Sequence, residues 1–436
     1  MSRSLVAFGY PPLVAASPPP PSTLPMEGFA ANVTGGAGGT VRPVTNLLNA
    51  GPGSLRQAVL DANATSGPSI VDVQVSGIIT LNSTITANGP DLTITGANAP
   101  GPFLLRASQT SLWDGALLNV AGSNILIEHL RFHRGLGDPT KENGKNVAVL
   151  SGDGIYFRHC SFAWADDEPF TVFGSAKNIT LQYCLIYEPL RYAHHYEGGL
   201  IRHDKGIVVA NSLGTGGPPD STSYDVRFTL AQSIVAHAYE RIPALIKLPA
   251  FEIINVITYN WENPFQGGGF SRDSNGTAMT SNIRGCMFLE GPQGVGSHPI
   301  GSDSGAYPPA YTHIDDCMWQ KTGPPLWTEE TDPVDIDRKA AATPGILSGT
   351  PIVFSPVVPT PTTIIPRAEL WAHLSSRVGA IQPSRSASDT RLLAQIDAVV
   401  SKTSLAGSMV DTPTAEDTNQ NPSATVTVYD TWSEAL

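Results

Sequence analysis

One short pattern returns along the middle of this chain and restricts its fold more than any other feature. It is an apolar residue, two variable ones, a small or thiol residue, then an apolar residue two places further on. Copies read Ile127-Glu-His-Leu130-Arg-Phe132, Phe157-Arg-His-Cys160-Ser-Phe162 and Leu181-Gln-Tyr-Cys184-Leu-Ile186. They continue as Val208-Val-Ala-Asn211-Ser-Leu213, Leu230-Ala-Gln-Ser233-Ile-Val235, Ile283-Arg-Gly-Cys286-Met-Phe288 and Ile314-Asp-Asp-Cys317-Met-Trp319, with a looser copy from Phe251 to Ile257 that carries Asn255 in the small slot. Between successive small slots the numbering advances by 30, 24, 27, 22, 22, 31 and 31.

Alternation sends every second side chain to one face, which is strand chemistry. A unit of this length has too little apolar surface to fold alone, so neighbours must stack. Equivalent residues then lie roughly 4.8 Å apart, as in any sheet. The pattern predicts an all-β chain, a right-handed parallel β-helix whose small slot becomes an internal ladder. A β-sandwich also alternates, but its turn signals fall every ~8–12 residues and its antiparallel pairs do not hold one slot in register over so many units.

The four cysteines all occupy that slot. Cys160 and Cys184 are ladder neighbours, as are Cys286 and Cys317, so disulfides are conceivable; buried free thiols stacked as small hydrophobes are the reading preferred here. No Cys/His spacing indicates zinc. With 436 residues a β-helix can form as one elongated domain, and 42 glycines, 37 prolines and only 15% charged residues fit many turns and few surface helices. The net charge of −12 argues against non-specific nucleic-acid binding and requires a local basic patch for any polyanionic ligand. No apolar run is long enough to insert in a membrane. Leu5 to Tyr10 is too short, and Pro11-Pro12 too close behind it, for a convincing signal peptide.

In chain order, residues 1–26 form a Pro-rich arm, 27–320 the β-helix, 321–410 a wrapping linker with C-terminal helices, and 411–436 an acidic tail. The glycine-rich stretch Gly28 to Gly39 lacks the lysine and the strand–turn–helix setting of a phosphate loop. Ser54 is an N-cap for a short helix, Leu55 to Ala62, with Leu55, Val59 and Leu60 as its apolar face; such a helix covers the open first rung of the coil. Strands are expected at Val71–Val75, Ile78–Leu81, Leu92–Thr95 and Phe103–Leu105, and late helices at Arg367–Val378 and Ser388–Ser401.

A β-helix has no interior cavity, so a site must lie on an outer face where loops of consecutive coils meet. The insertions 187–206 and 214–226 interrupt adjacent coils and hold Glu188, Arg191, His194, His195, Glu197, Arg202, His203, Asp204 and Lys205; Glu240, Arg241 and Lys247 follow. Lys205 leads into its coil much as Arg241 leads into the next, which makes their proximity possible. The histidines are read as a loop polar cluster rather than a metal site. Trp164, Trp261, Trp319 and Trp327 are read as buried aromatics before sugar-stacking platforms.

Several stretches together resemble the pectate lyases, a polysaccharide lyase family. They are Glu27-Gly-Phe-Ala-Ala-Asn-Val-Thr-Gly-Gly, Gly51-Pro-Gly-Ser-Leu-Arg56, Leu92-Thr-Ile-Thr-Gly-Ala-Asn-Ala-Pro-Gly101 and Leu130-Arg-Phe-His-Arg-Gly135. Cys160-Ser-Phe-Ala-Trp-Ala-Asp-Asp-Glu168, Asn178-Ile-Thr-Leu-Gln-Tyr-Cys184, His203-Asp-Lys-Gly-Ile-Val-Val-Ala-Asn211 and Ser233-Ile-Val-Ala-His-Ala-Tyr-Glu-Arg-Ile-Pro243 complete the set, over roughly residues 26–400.

The resemblance implies calcium-assisted β-elimination on an acidic, uronate-containing polysaccharide, outside the cell. It places Arg241 at the family's Brønsted base and Lys205 at the lysine that neutralises the uronate carboxylate, with Lys247, offset by one, in place of a second arginine. Lys247 and, from the long insertions, His203, Arg191 and Arg202 are the substrate-binding candidates. Calcium ligands would be Asp167 with Asp166 and Glu168. Asn146 and Thr171 stand at positions where the family's cluster is rich in aspartate, which impoverishes that site; the triplet also reads as a solvated turn. The alternative is a non-catalytic β-helix that binds glycan or serves as a structural surface protein, for example on a virion, as a homo-oligomer or within a virion assembly.

Overall fold

The computed structural model describes residues 24–402, apart from 109–112, 114, 136–143, 191, 195–199, 211–224, 247, 262–264, 268–279, 293–297, 303–310, 322–327, 337–346, 355–358 and 360–361. Three sheets wind around one apolar core. The first has ten strands, from Thr40–Val44 to Tyr311–Asp315, and the second ten, from Gly77–Leu81 to Thr328–Glu330. The third has six, from Ile85–Ala87 to Ala244–Ile246. Neighbours within them pair in parallel, except that Thr328–Glu330 closes antiparallel on Met318–Lys321. This is the parallel β-helix that the repeat predicts.

Register explains the pattern. Ile127, Phe157, Leu181, Leu230, Ile253, Ile283 and Ile314 stand in one column of the first sheet. Three residues further on, Leu130, Cys160, Cys184, Ser233, Val256, Cys286 and Cys317 form the buried ladder. All four thiols are free, and burial pushes the Cys184 thiol up to about 12. Phe132 stacks on Phe162 at 5.3 Å, while Phe170 meets Phe157 edge-on at 5.1 Å.

Two copies of the motif do not occupy the ladder. Strand Ile207–Ala210 pairs with Phe170–Phe173 and with Ala244–Ile246, so it belongs to the third sheet, and Leu181 is followed directly by Leu230 in the first. Asn211 itself lies outside the described residues. Asn255 precedes the true slot by one residue. With φ of 54° it continues a row of left-handed turn residues, His129, His159, Tyr183 and Gln232. Its amide donates to Ile365 O at 2.7 Å and its oxygen accepts from Ile365 N at 2.8 Å, a polar function that an interior slot does not offer.

Helix α1 (Leu55–Asn63) is capped by Ser54, whose Oγ accepts from Gln57 N at 3.2 Å. Its buried face is Leu55, Ala58, Val59 and Ala62, the i, i+3, i+4, i+7 stripe, packed on the first coil. Leu60 was expected on that face but is 52% exposed, being out of phase with the stripe. Helices α2 (Arg367–Leu374) and α3 (Ala387–Val400) lie on the outside of the second sheet: Leu370, Leu374, Leu392 and Ile396 pack on Leu185, Tyr187, Ile234 and Tyr259.

The glycine-rich stretch runs across the outer face of the first sheet. Phe29 N donates to Thr229 Oγ1 at 3.2 Å, Ala30 N to Thr180 Oγ1 at 3.1 Å and Gly36 N to Thr93 Oγ1 at 2.9 Å. A Cβ on Gly36 would overlap Ser69 O, so contact this close requires glycine there. Trp261 and Trp319 are buried in the coil and Trp164 in the cluster between the second sheet and the C-terminal helices, while Trp327 lies outside the described residues.

Candidate active site

Charged residues gather where successive turns enter the third sheet. Val147 pairs with Phe170, Phe170 with Ile207, and Val208 with Ala244. The residues just before these strands therefore stack: Lys145, then Asp167 and Glu168, then His203 and Lys205, then Glu240 and Arg241. Lys205 bridges Glu240 in parallel register; Gly206 N donates to Glu240 O at 2.9 Å and Ile207 N to Arg241 O at 2.6 Å. A Cβ on Gly206 would stand 2.5 Å from Arg241 O, so the two turns approach this closely only because residue 206 has no side chain. Between this bridge and the paired strands the second turn holds one residue more than the first. Such a bulge re-aims a side chain, and Arg241 sits in it at a φ of 62°.

The side chains interlock. Lys205 Nζ lies 3.0 Å from Glu240 Oε1, and Arg241 Nε 3.9 Å from the same oxygen. Arg241 Nη1 contacts Glu168 Oε1. Glu168 Oε2 accepts from Thr171 Oγ1 at 3.4 Å and lies 3.8 Å from Lys145 Nζ. Lys145 also contacts Asp167 Oδ2, while His203 Nε2 donates to Asp167 Oδ1 at 2.6 Å. Asp167, Glu168 and His203 are buried, whereas the Lys145, Lys205 and Arg241 side chains keep 13, 16 and 21% of their surface exposed. Lys145, Lys205 and Arg241, with Glu240 between the last two, thus form the solvent side of the cluster, and Asp167 and Glu168 its floor.

Burial pushes the Asp167 carboxyl up, but the Lys145 ammonium and the His203 hydrogen bond more than reverse this and hold it well below the usual carboxylate range. Burial pulls the Arg241 guanidinium below its ordinary value, against the attraction of Asp167.

Of the residues singled out in the sequence, Lys205, Arg241, His203, Asp167 and Glu168 come together. Asp166 turns to a neighbouring pair, its Oδ1 3.0 Å from Arg134 Nη1. Arg202 ends strand Leu200–Arg202, antiparallel to Tyr192–His194, and Arg191 and Lys247 lie outside the described residues. Lys145 was not singled out, and Glu240 was noted only as the neighbour of Arg241. The signal for Lys145 is its register opposite Glu168, visible only once Val147–Val149 is known to pair with Phe170–Phe173.

Asp167, Glu168 and His203 present ligand atoms within 4.8 Å of one another. The set does not fit calcium, which takes about six to eight oxygen ligands. One of the three donors is a nitrogen, and every carboxylate oxygen of Asp167 and Glu168 already meets a cation or a donor. Asn146 is committed too: its Oδ1 accepts from Arg134 N at 3.0 Å and its Nδ2 donates to Ala163 O at 2.9 Å.

No protein-family model matches the chain. A probable pectate lyase C from Emericella nidulans is 30% identical over 267 residues, covering 61% of this chain and 52% of the relative. The fold of a pectate lyase from Paenibacillus sp. 0602 superposes with a TM-score of 0.55 at 14% identity, over 84% of this chain and 98% of that one. A pectate lyase from Bacillus sp. N165, described in complex with trigalacturonate, gives 0.50 at 15% identity over 81% and 98%. The chain resembles the pectate lyases. It spans about half the length of the curated relatives it matches, and its likeness to the solved structures is one of fold. No helix among the described residues is long and apolar enough to cross a membrane.

Proposed function

We propose that the chain is a pectate lyase-like enzyme that cleaves an acidic, uronate-containing polysaccharide by β-elimination at the Lys205–Arg241 edge. The observation that carries this reading is the meeting of those two cations at one Glu240 oxygen, on the solvent side of the cluster. A uronate carboxylate brought to that edge exchanges with Glu240 for Lys205. Positive charge on the carboxylate acidifies the C–H beside it and stabilises the enolate-like transition state, where binding energy accelerates chemistry. Arg241, as the neutral guanidine, takes that proton, and the C–H electron pair becomes the double bond of the new chain end. The glycosidic C–O bond at the β carbon breaks; the departing sugar oxygen keeps that bond's pair and is protonated by water. A guanidinium is normally always charged; burial shifts Arg241 in the direction a base requires.

The substrate class is supported by the neighbour in complex with trigalacturonate, and a polymer of this kind implies work outside the cell. The lyase name of the curated relatives favours the enzyme over a particle-surface protein. The test is incubation with polygalacturonate and with other uronate polymers, following ultraviolet absorbance of the unsaturated product. Turnover that disappears in Arg241→Ala supports the proposal. Inactivity of the wild type across the panel, or undiminished activity of the variant, contradicts it.

A further inference from the structure

We infer that Lys145 is the resident counter-cation of Asp167 and Glu168, and that this site therefore takes no divalent metal. The inference deepens the lyase reading of the same site, as a positioning role for a residue that reading does not use. Lys145 precedes strand Val147–Val149, which pairs in register with Phe170–Phe173, so its ammonium is delivered opposite Glu168. It contacts Asp167 Oδ2 and stands 3.8 Å from Glu168 Oε2. The other Asp167 oxygen accepts from His203, and the other Glu168 oxygen meets Arg241.

All four oxygens of the two buried carboxylates are thereby engaged. A calcium ion has to displace an ammonium or a guanidinium from a buried partner before it gains a ligand, which opposes binding. Taking the Lys145 charge away leaves two adjacent buried carboxylates with one fewer cation, and that deficit is what a divalent ion satisfies. Holding Glu168 by its second oxygen, Lys145 also fixes the carboxylate against which Arg241 is set.

The experiment uses the full chain, stripped with chelator, as wild type, Lys145→Gln, Lys145→Arg and the surface control Lys177→Gln. Calcium chloride is titrated in a calorimeter, and Tm is followed with and without calcium up to about 1 mM, the weak end of protein calcium sites. Expected are no saturable heat and no Tm shift for wild type, Lys145→Arg and Lys177→Gln. Lys145→Gln should show saturable binding within that calcium range, with a calcium-dependent rise in Tm. Saturable calcium binding by the wild type overturns the inference, and so does a folded Lys145→Gln that ignores calcium. If Lys145→Gln folds only when calcium is present the inference stands, and if it does not fold at all the wild-type titration decides alone. No polysaccharide enters these measurements, so their failure is distinguishable from failure of the lyase assay.

Discussion

At the scale of single residues, the site depends on how close two turns of chain can come. Gly206 is the residue that permits it. Gly206→Ala puts a Cβ into the Arg241 carbonyl, so we expect a loss of about 1–3 kcal/mol in denaturant unfolding, the range of overpacking, together with a fall in lyase rate. An unchanged rate and stability would show that the two turns are not held as described. Arg241→Lys keeps a charge but loses the fork that spans Glu168 and Glu240. It should lower kcat by about 10²–10⁴-fold, as for loss of a proton-transfer group, with Tm nearly unchanged; a Tm collapse would make Arg241 structural instead. The resemblance to the pectate lyases pointed to Lys205 and Arg241, through the stretches His203 to Asn211 and Ser233 to Pro243. It did not point to Lys145, since a three-residue strand such as Val147–Val149 shows no alternation and its register is set by coils on either side.

At the scale of elements, helix α1 shows how a correct helix can carry a wrong face. Two leucines and a valine looked like the apolar stripe, but alanines at 58 and 62 complete it, and small residues give a weak periodic signal. Leu55→Ala should cost about 2–5 kcal/mol, while Leu60→Ala should stay within about 0.5 kcal/mol, read by chemical denaturation. Equal costs would place the cap differently on the first coil. The ladder was legible because its slot repeats with apolar residues on both sides. The copy at Asn255 failed because a polar small residue fits the pattern of letters, yet a turn satisfies it better than an apolar interior. The copy at Asn211 failed because the strand before it, Ile207–Ala210, belongs to another sheet.

At the scale of the whole molecule, the coil buries titratable groups whose protonation opposes folding. Burial holds His129, His133 and His159 down to about 3, with further repulsion from neighbouring charges. An unfolded histidine titrates near 6.5, so between pH 6.5 and 3 the unfolded chain binds more protons. Stability from these groups is present above 6.5 and is lost as the pH falls, by up to about 1.4 kcal/mol per pH unit for each histidine. Glu252 works the other way: burial raises its carboxyl to about 7, and its contribution is lost as the pH rises through that value. Three groups outweigh one, so Tm should fall steadily from pH 6.5 to pH 4. A flat or rising Tm across that window would show that the histidines are not enclosed as the structure has them.

That Lys205 and Arg241, from successive turns, act on one sugar is most directly tested by a double-mutant cycle on polygalacturonate cleavage. Wild type, Lys205→Met, Arg241→Lys and the double variant are compared by kcat/KM. If the pair acts as a unit, the double variant is little worse than the poorer single one, because the second change removes what the first has already disabled. Losses that simply multiply, as for distant independent sites, would contradict a shared site.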